Sequence, residues 1–183
     1  MTSVKNQENL NMDITISKLN IDEWPKYKAL RLEALKNEPS SFGSSYEDNL
    51  KSPDDLWREQ LQKSHNGEGG VMFFAKKGDK LVGMIGAFWQ DKEKTRHIGN
   101  IFGVYVSSDY RGKGIGKQLM EVILNYLDAM PQIEKIKLGV VTRQIPALKM
   151  YEKYGFKHIG KLKKELKVGD DYYDEYLMEK VKE

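Results

Sequence analysis

Apolar positions along this chain follow two rhythms, one of two residues and one of three to four, and the chain switches between them repeatedly. Over Asp13–Leu19, Ile14 and Ile16 alternate with polar neighbours, the pattern of a first strand. Trp24, Tyr27, Leu30, Ala34 and Leu35 then recur at helical steps, with Asp22 as the expected cap, Pro25 in the first turn and Pro39 as the stop. Ser40–Asn49 is small and polar around Phe42 and Tyr46 and reads as a loop able to line a pocket. Ser52-Pro53-Asp54-Asp55 has the spacing of a helix start, with Pro at the first helical position and Leu56, Trp57 and Leu61 facing inward. His65–Gly70 reads as a turn.

Three strands are expected next: Val71–Lys76, Lys80–Phe88 after a Lys77-Gly78-Asp79 turn, and Ile98–Val106 beyond the charged loop Gln90–Arg96. The second is apolar on both faces, which suits an inner position, and Gly83 and Gly86 within it predict close backbone approach or a bulge. From Gly114 a helix is expected with Ile115, Leu119, Ile123 and Leu127 on one face and Lys117, Glu121, Asn125 and Asp128 on the other, stopped by Pro131. Ile136, Leu138 and Val140 form another strand, so strand, helix and strand imply one parallel crossover. A short helix from Pro146 ends at Gly155, and Phe156–Leu166 and Tyr172–Met178 close the chain as a hairpin. The fold class expected is α/β (α+β), with a mixed, mostly antiparallel sheet carrying one central parallel β-α-β crossover.

A chain of 183 residues is long enough for a real core, and 13–183 is expected to be one domain behind a polar tail over 1–12 that lacks the apolar stretch of a secretory leader. No apolar run approaches the roughly 20 residues of a membrane span, so a soluble, cytoplasmic protein without a membrane partner is expected. A net charge of +3 gives little support to nucleic-acid binding. With no cysteine, and with His65, His97 and His158 at no ligand spacing, neither a metal nor a thiol nucleophile is expected.

Candidate chemistry concentrates where the strand ending at Val106 meets the helix starting near Gly114. Gly112, Gly114 and Gly116 stand on alternate positions, interleaved with Arg111, Lys113 and Lys117. A strand, a glycine-rich turn and a helix start make an anion cradle, because backbone N–H groups point into the turn and the helix dipole adds positive charge. The spacing is not that of a P-loop, since Arg111 stands where the first glycine is required and Gln118 where a hydroxyl is. Nor is it a dinucleotide fingerprint, whose third glycine would fall at Lys117.

What remains is Arg-x-x-Gly-x-Gly at Arg111, Gly114 and Gly116, which resembles the coenzyme A pyrophosphate loop of the GNAT superfamily of N-acetyltransferases. Ala147-Leu148-Lys149-Met150-Tyr151-Glu152-Lys153-Tyr154-Gly155-Phe156 resembles a second segment of that family, with Met150 in place of the usual Leu. The element order is also similar, over roughly residues 13–180. The resemblance implies a bulged strand that splays from its parallel neighbour, with acetyl-CoA as co-substrate lying in the gap. It implies that backbone groups of Val104, Tyr105 and Val106 hold pantetheine, that an N–H at or near Val106 polarises the thioester, and that amides from Gly112 through Lys113, Gly114, Ile115 and Gly116 to Lys117 hold the pyrophosphate. Arg111, Lys113 and Lys117 would add charge, though for Lys113 a solvated basic rim is an equal reading. Gln144 stands where the family often has an Asn contacting the coenzyme.

Tyr151 matches the family tyrosine that protonates the leaving thiolate, and a phenol near pKa 10 is a ready donor at neutral pH. Tyr154 is expected to be structural. The general base is not visible: where some members carry Glu, this chain has Gly139, which leaves Glu33, His97, Asp174 and Glu175 as candidates. The implied function is acetyl transfer to a primary amine (a small molecule, polyamine or protein N-terminus) by direct attack on the thioester. The alternative is a non-catalytic module that binds or senses acyl-CoA. The acceptor pocket is expected from Leu35–Tyr46, Gln90–Arg96 and the final hairpin, and pairing as a homodimer is left open.

Overall fold

The computed structural model describes residues 14–182; the expected tail, 1–12, lies outside them. In chain order the elements are β1 (Ile14–Ser17), α1 (Trp24–Asn37), α2 (Tyr46–Lys51), α3 (Asp54–Asn66), β2 (Gly70–Lys77), β3 (Lys80–Trp89) and β4 (Ile98–Val106). Then follow α4 (Ile115–Asp128), β5 (Lys135–Val141), α5 (Ile145–Lys153), β6 (Lys157–Val168) and β7 (Asp171–Val181). The strands form a seven-stranded sheet in the order β1-β2-β3-β4-β5-β7-β6. Among the described residues only β4 and β5 run parallel, joined through α4.

Each face of the sheet carries its own core. On one, Ile115, Leu119, Ile123 and Leu127 of α4 and Leu148 and Tyr151 of α5 pack on Val82, Ile85, Ile101, Ile136, Leu138 and Val140. On the other, Tyr27, Leu30 and Ala34 of α1 and Trp57 and Leu61 of α3 pack on Met72, Phe74, Leu81, Met84 and Tyr105. Removing that much aliphatic and aromatic surface from water, at about 25 cal/mol per Å², is what fixes both helical layers to the sheet.

Several local expectations are corrected. Asp22 does not cap α1: a 3-10 turn, Ile21–Glu23, precedes the helix, and the Glu23 carboxylate accepts the Asn20 backbone N–H at 3.0 Å. Residues expected to be loop form α2, whose start is capped by the Ser45 hydroxyl accepting from the Asp48 N–H at 3.1 Å. Pro53 sits at the cap of α3 rather than inside it, and the helix runs through His65 to end at Gly67. Leu56 points to solvent while Trp57 and Leu61 are buried.

Candidate active site

β4 and β5 pair over four positions, from Ile98↔Lys135 to Ile101↔Leu138, and no further. Both strands continue, β4 to Val106 and β5 to Val141, so their ends diverge and leave a slot. A bulge in β4 opens it. Against β3, Met84 pairs with Tyr105 and Gly86 with Phe102, which leaves Gly103 and Val104 opposite one residue. Gly103 has φ +64°, a conformation that a residue with a Cβ adopts only under strain.

The slot is a cavity of about 580 Å³. Val104, Tyr105 and Val106 form one wall, and Gly139, Val140 and Val141 the other. Arg111, Gly112, Gly114, Ile115 and Gly116 close one end, and Gln144, Ala147, Met150 and Tyr151 line its side. Gly112 and Gly114 have φ +73° and +80°, and a Cβ built on either meets nothing within 4 Å. The space at Gly112 and Gly114, beside the α4 N-terminus, is thus open, and no side chain caps the first amides of that helix. This geometry fits a diphosphate.

Each of the cationic side chains has a partner within the protein. Arg111 Nε donates to the Val106 carbonyl at 2.9 Å, its Nη1 meets Glu38 at 2.8 Å, and its guanidinium lies 5.7 Å from the centre of the Tyr105 ring. Lys113 Nζ folds back onto the Asp109 carbonyl at 2.8 Å, and Lys117 lies 3.6 Å from Glu121. Neither lysine lines the cavity. Gln144 is also engaged, its amide donating to the Ser41 hydroxyl at 2.7 Å and to Glu38 at 3.3 Å, and all three residues line the cavity. Glu38 therefore spans the slot between Arg111 on the β4 rim and Gln144 on the β5 rim. Sequence spacing carries no sign of this bridge, since its partners stand far apart in the chain.

Tyr151 is buried at 4% exposure, edge-on to Phe156 with ring centres 6.1 Å apart, and it lines the cavity. Burial holds its phenol well above the ordinary tyrosine value, so it stays protonated across the neutral range. Tyr154, a turn on, donates to the Glu121 carboxylate at 3.1 Å and is pushed up to about 12 by burial and by that carboxylate. It pins α5 to α4, as expected of a structural residue. The Tyr105 side chain points away from the slot into the α1 side, where its hydroxyl donates to Glu33 at 3.0 Å. Tyr105 also lines the cavity.

The four carboxylate and imidazole candidates separate in space. Asp174 is tied to Lys161 at 2.9 Å and accepts the Lys164 N–H at 2.9 Å, and these contacts hold its carboxyl below the usual range. His97 precedes the paired end of β4, at the opposite end from the slot. Glu33 accepts from Tyr105. Glu175 reaches the slot wall at Gly139.

A second cavity, of about 770 Å³, lies between the α1–α2 stretch and the β6–β7 hairpin, with Leu35, Phe42, Tyr46, Glu47, Glu165 and Gly169 in its wall. Phe42 lines both cavities. The hairpin and the Leu35–Tyr46 stretch meet as expected for an acceptor pocket, but Gln90–Arg96 lines neither cavity.

Residues 29–156 match the acetyltransferase (GNAT) family. The chain belongs to that family. It is 30% identical over 129 residues to the L-amino acid N-acetyltransferase AaaT of Escherichia coli (strain K12), a match covering 70% of this chain and 77% of the relative. An acetyltransferase of the GNAT family from Streptococcus pneumoniae superposes with a TM-score of 0.84 at 21% identity, covering 93% of this chain and all of that one. RimL, a ribosomal L7/L12 alpha-N-protein acetyltransferase solved in complex with coenzyme A, gives a TM-score of 0.75 at 13% identity over 92% of this chain and 94% of its own. The GNAT chain described here is therefore an N-acetyltransferase by family, and its bulged, splayed sheet is that of the fold. No helix among the described residues is long and apolar enough to cross a membrane.

Proposed function

We propose that this GNAT protein moves the acetyl group of acetyl-CoA to a primary amine by direct attack, with Tyr151 as the acid. The observation that carries the reading is the β4–β5 slot, which ends in an open glycine cradle and is lined by a buried, protonated phenol. Acetyl-CoA supplies an activated acyl thioester when bound. Amides from Gly112 to Lys117 are the proposed diphosphate holders, helped by the α4 dipole rather than by the lysine side chains, which the geometry directs elsewhere. The end of β4 that is unpaired with β5, Val104–Val106, offers backbone groups to an extended amide-bearing arm. An N–H near Val106 aimed at the acyl oxygen would be worth about 3 kcal/mol, the usual scale for one preorganised donor.

Tyr151 delivers its proton to the departing sulfur. Its raised pKa keeps the phenol protonated until a thiolate, whose own basicity the same dry slot increases, is generated beside it. We assign the acceptor to the α1 side of the sheet, entering through the second cavity. The AaaT relative is named an L-amino acid N-acetyltransferase. An α-amine is accordingly the acceptor class to test first.

The experiment is acetyl-CoA-dependent thiol release with a panel of L-amino acids, N-terminal peptides and polyamines. Tyr151→Phe is expected to lower kcat by about 100-fold, the common scale for loss of one acid–base group, while coenzyme affinity is kept. Unchanged kcat in that variant would remove Tyr151 from the reaction.

A further inference from the structure

Gly139 is the first residue of β5 beyond the last position paired with β4, so it stands at the vertex of the slot, and it lines the cavity. Its neighbours Leu138 and Val140 are buried under α4 and α5. Strand alternation therefore turns position 139 to the opposite face, toward α1. There is no side chain at 139, but the space is filled. A Cβ built on Gly139 would lie 1.5 Å from Glu175 Oε1 and 2.7 Å from Glu175 Cδ. Glu175 comes from β7, where it pairs with Val141, and leans diagonally across β5 to put its carboxylate in that gap. Among the described residues it has no ion pair and no side-chain hydrogen bond, unlike Glu33, Glu38 and Asp174.

We propose that Glu175 is the general base of the transfer, a carboxylate delivered from β7 into the space left by Gly139. The inference rests on the transferase reading above. The amine nitrogen forms the new C–N bond to the acyl carbon while the C–S bond breaks and its electron pair goes to sulfur. Glu175 takes the proton that frees the arriving ammonium to attack, the nitrogen's second proton passes to solvent as the amide forms, Tyr151 gives its own to sulfur, and solvent later restores both groups. The placement suits the division of labour, since Tyr151 belongs to the α4–α5 side of the sheet and Gly139 faces the other. Proton uptake and proton delivery then occur from opposite faces of one slot. Burial, and the like charge of Glu165 across the hairpin, also hold the Glu175 carboxyl above its ordinary value, which brings a carboxylate closer to the basicity an amine demands.

The test uses the full chain, acetyl-CoA and the best amine of the panel, with a weakly basic amine such as a hydrazine beside it. Glu175→Gln is expected to lower kcat by about 100-fold on the strongly basic amine, and much less on the weakly basic one, which arrives neutral. KM for acetyl-CoA should stay within twofold. Gly139→Ala displaces the carboxylate without removing it and should reproduce the loss. Gly139→Glu combined with Glu175→Ala places a carboxylate at the vertex from β5 and should restore at least a tenth of the lost rate. Full activity in Glu175→Gln, an equal loss on both amines, or no recovery in the double variant would overturn the assignment of Glu175. Absence of thiol release from the unsubstituted protein with every amine would instead overturn the transferase reading on which it rests.

Discussion

Tyr151 shows how far one residue's chemistry can be followed. Its place in Ala147–Phe156 was legible because the segment's spacing is specific, and its protonation follows from the ordinary phenol value alone. What the chain order could not give was the degree of burial, which sets a sign for stability. The folded phenol resists deprotonation, whereas the unfolded one ionises near pH 10. Above that pH the unfolded state therefore binds fewer protons than the native state, and stability falls as the pH rises. The melting-temperature difference between the unsubstituted protein and Tyr151→Phe should be constant up to about pH 9 and shift in favour of the variant by pH 11. Glu175 was visible only as one of four candidate bases beside Glu33, His97 and Asp174, since the role proposed for it depends on an empty position on a neighbouring strand. No spacing rule connects 139 with 175.

At the level of elements, strong periodicity was enough. β4 and the face of α4 match their sequence patterns, because a period of two or of 3.6 sustained over many apolar residues leaves little freedom. α2 escaped notice because it is six residues long, largely polar, buries none of them and depends on the Ser45 cap. Leu56 misled for the opposite reason, as an apolar residue beside the true inward positions of α3. The glycines inside β3 were informative, and each is accounted for by a neighbour. A Cβ on Gly86 would lie 2.5 Å from the Phe102 ring, and one on Gly83 would lie 3.0 Å from the Tyr105 carbonyl and 3.1 Å from Leu119 Cδ1. Helix α4 thus approaches β3 as closely as it does because position 83 is bare. Gly83→Ala should destabilise the protein by about 1–3 kcal/mol, the usual cost of overpacking, as read from denaturant unfolding. Because the α4 start forms the cradle, it should also raise KM for acetyl-CoA.

Across the whole molecule, the single parallel crossover could be read from element order, and the glycine loop marked where a cradle would stand, whereas the order of strands in the sheet was not read. The connections between distant parts could not be read. Ser41, Glu38, Arg111 and Gln144 come from three separate stretches and meet only because the sheet brings both rims of the slot under the end of α1. Arg111 and Lys113 look like phosphate ligands in a string of letters, yet in space one clamps a strand end and the other caps a turn. Glu38 grips both banks of the channel at once. An incoming cation that draws this carboxylate aside would slacken the two banks together, so amine and coenzyme should each alter the other's affinity by the same factor. Glu38→Gln, which keeps the shape but drops the charge, should erase that mutual influence in paired titrations while leaving each partner able to bind alone.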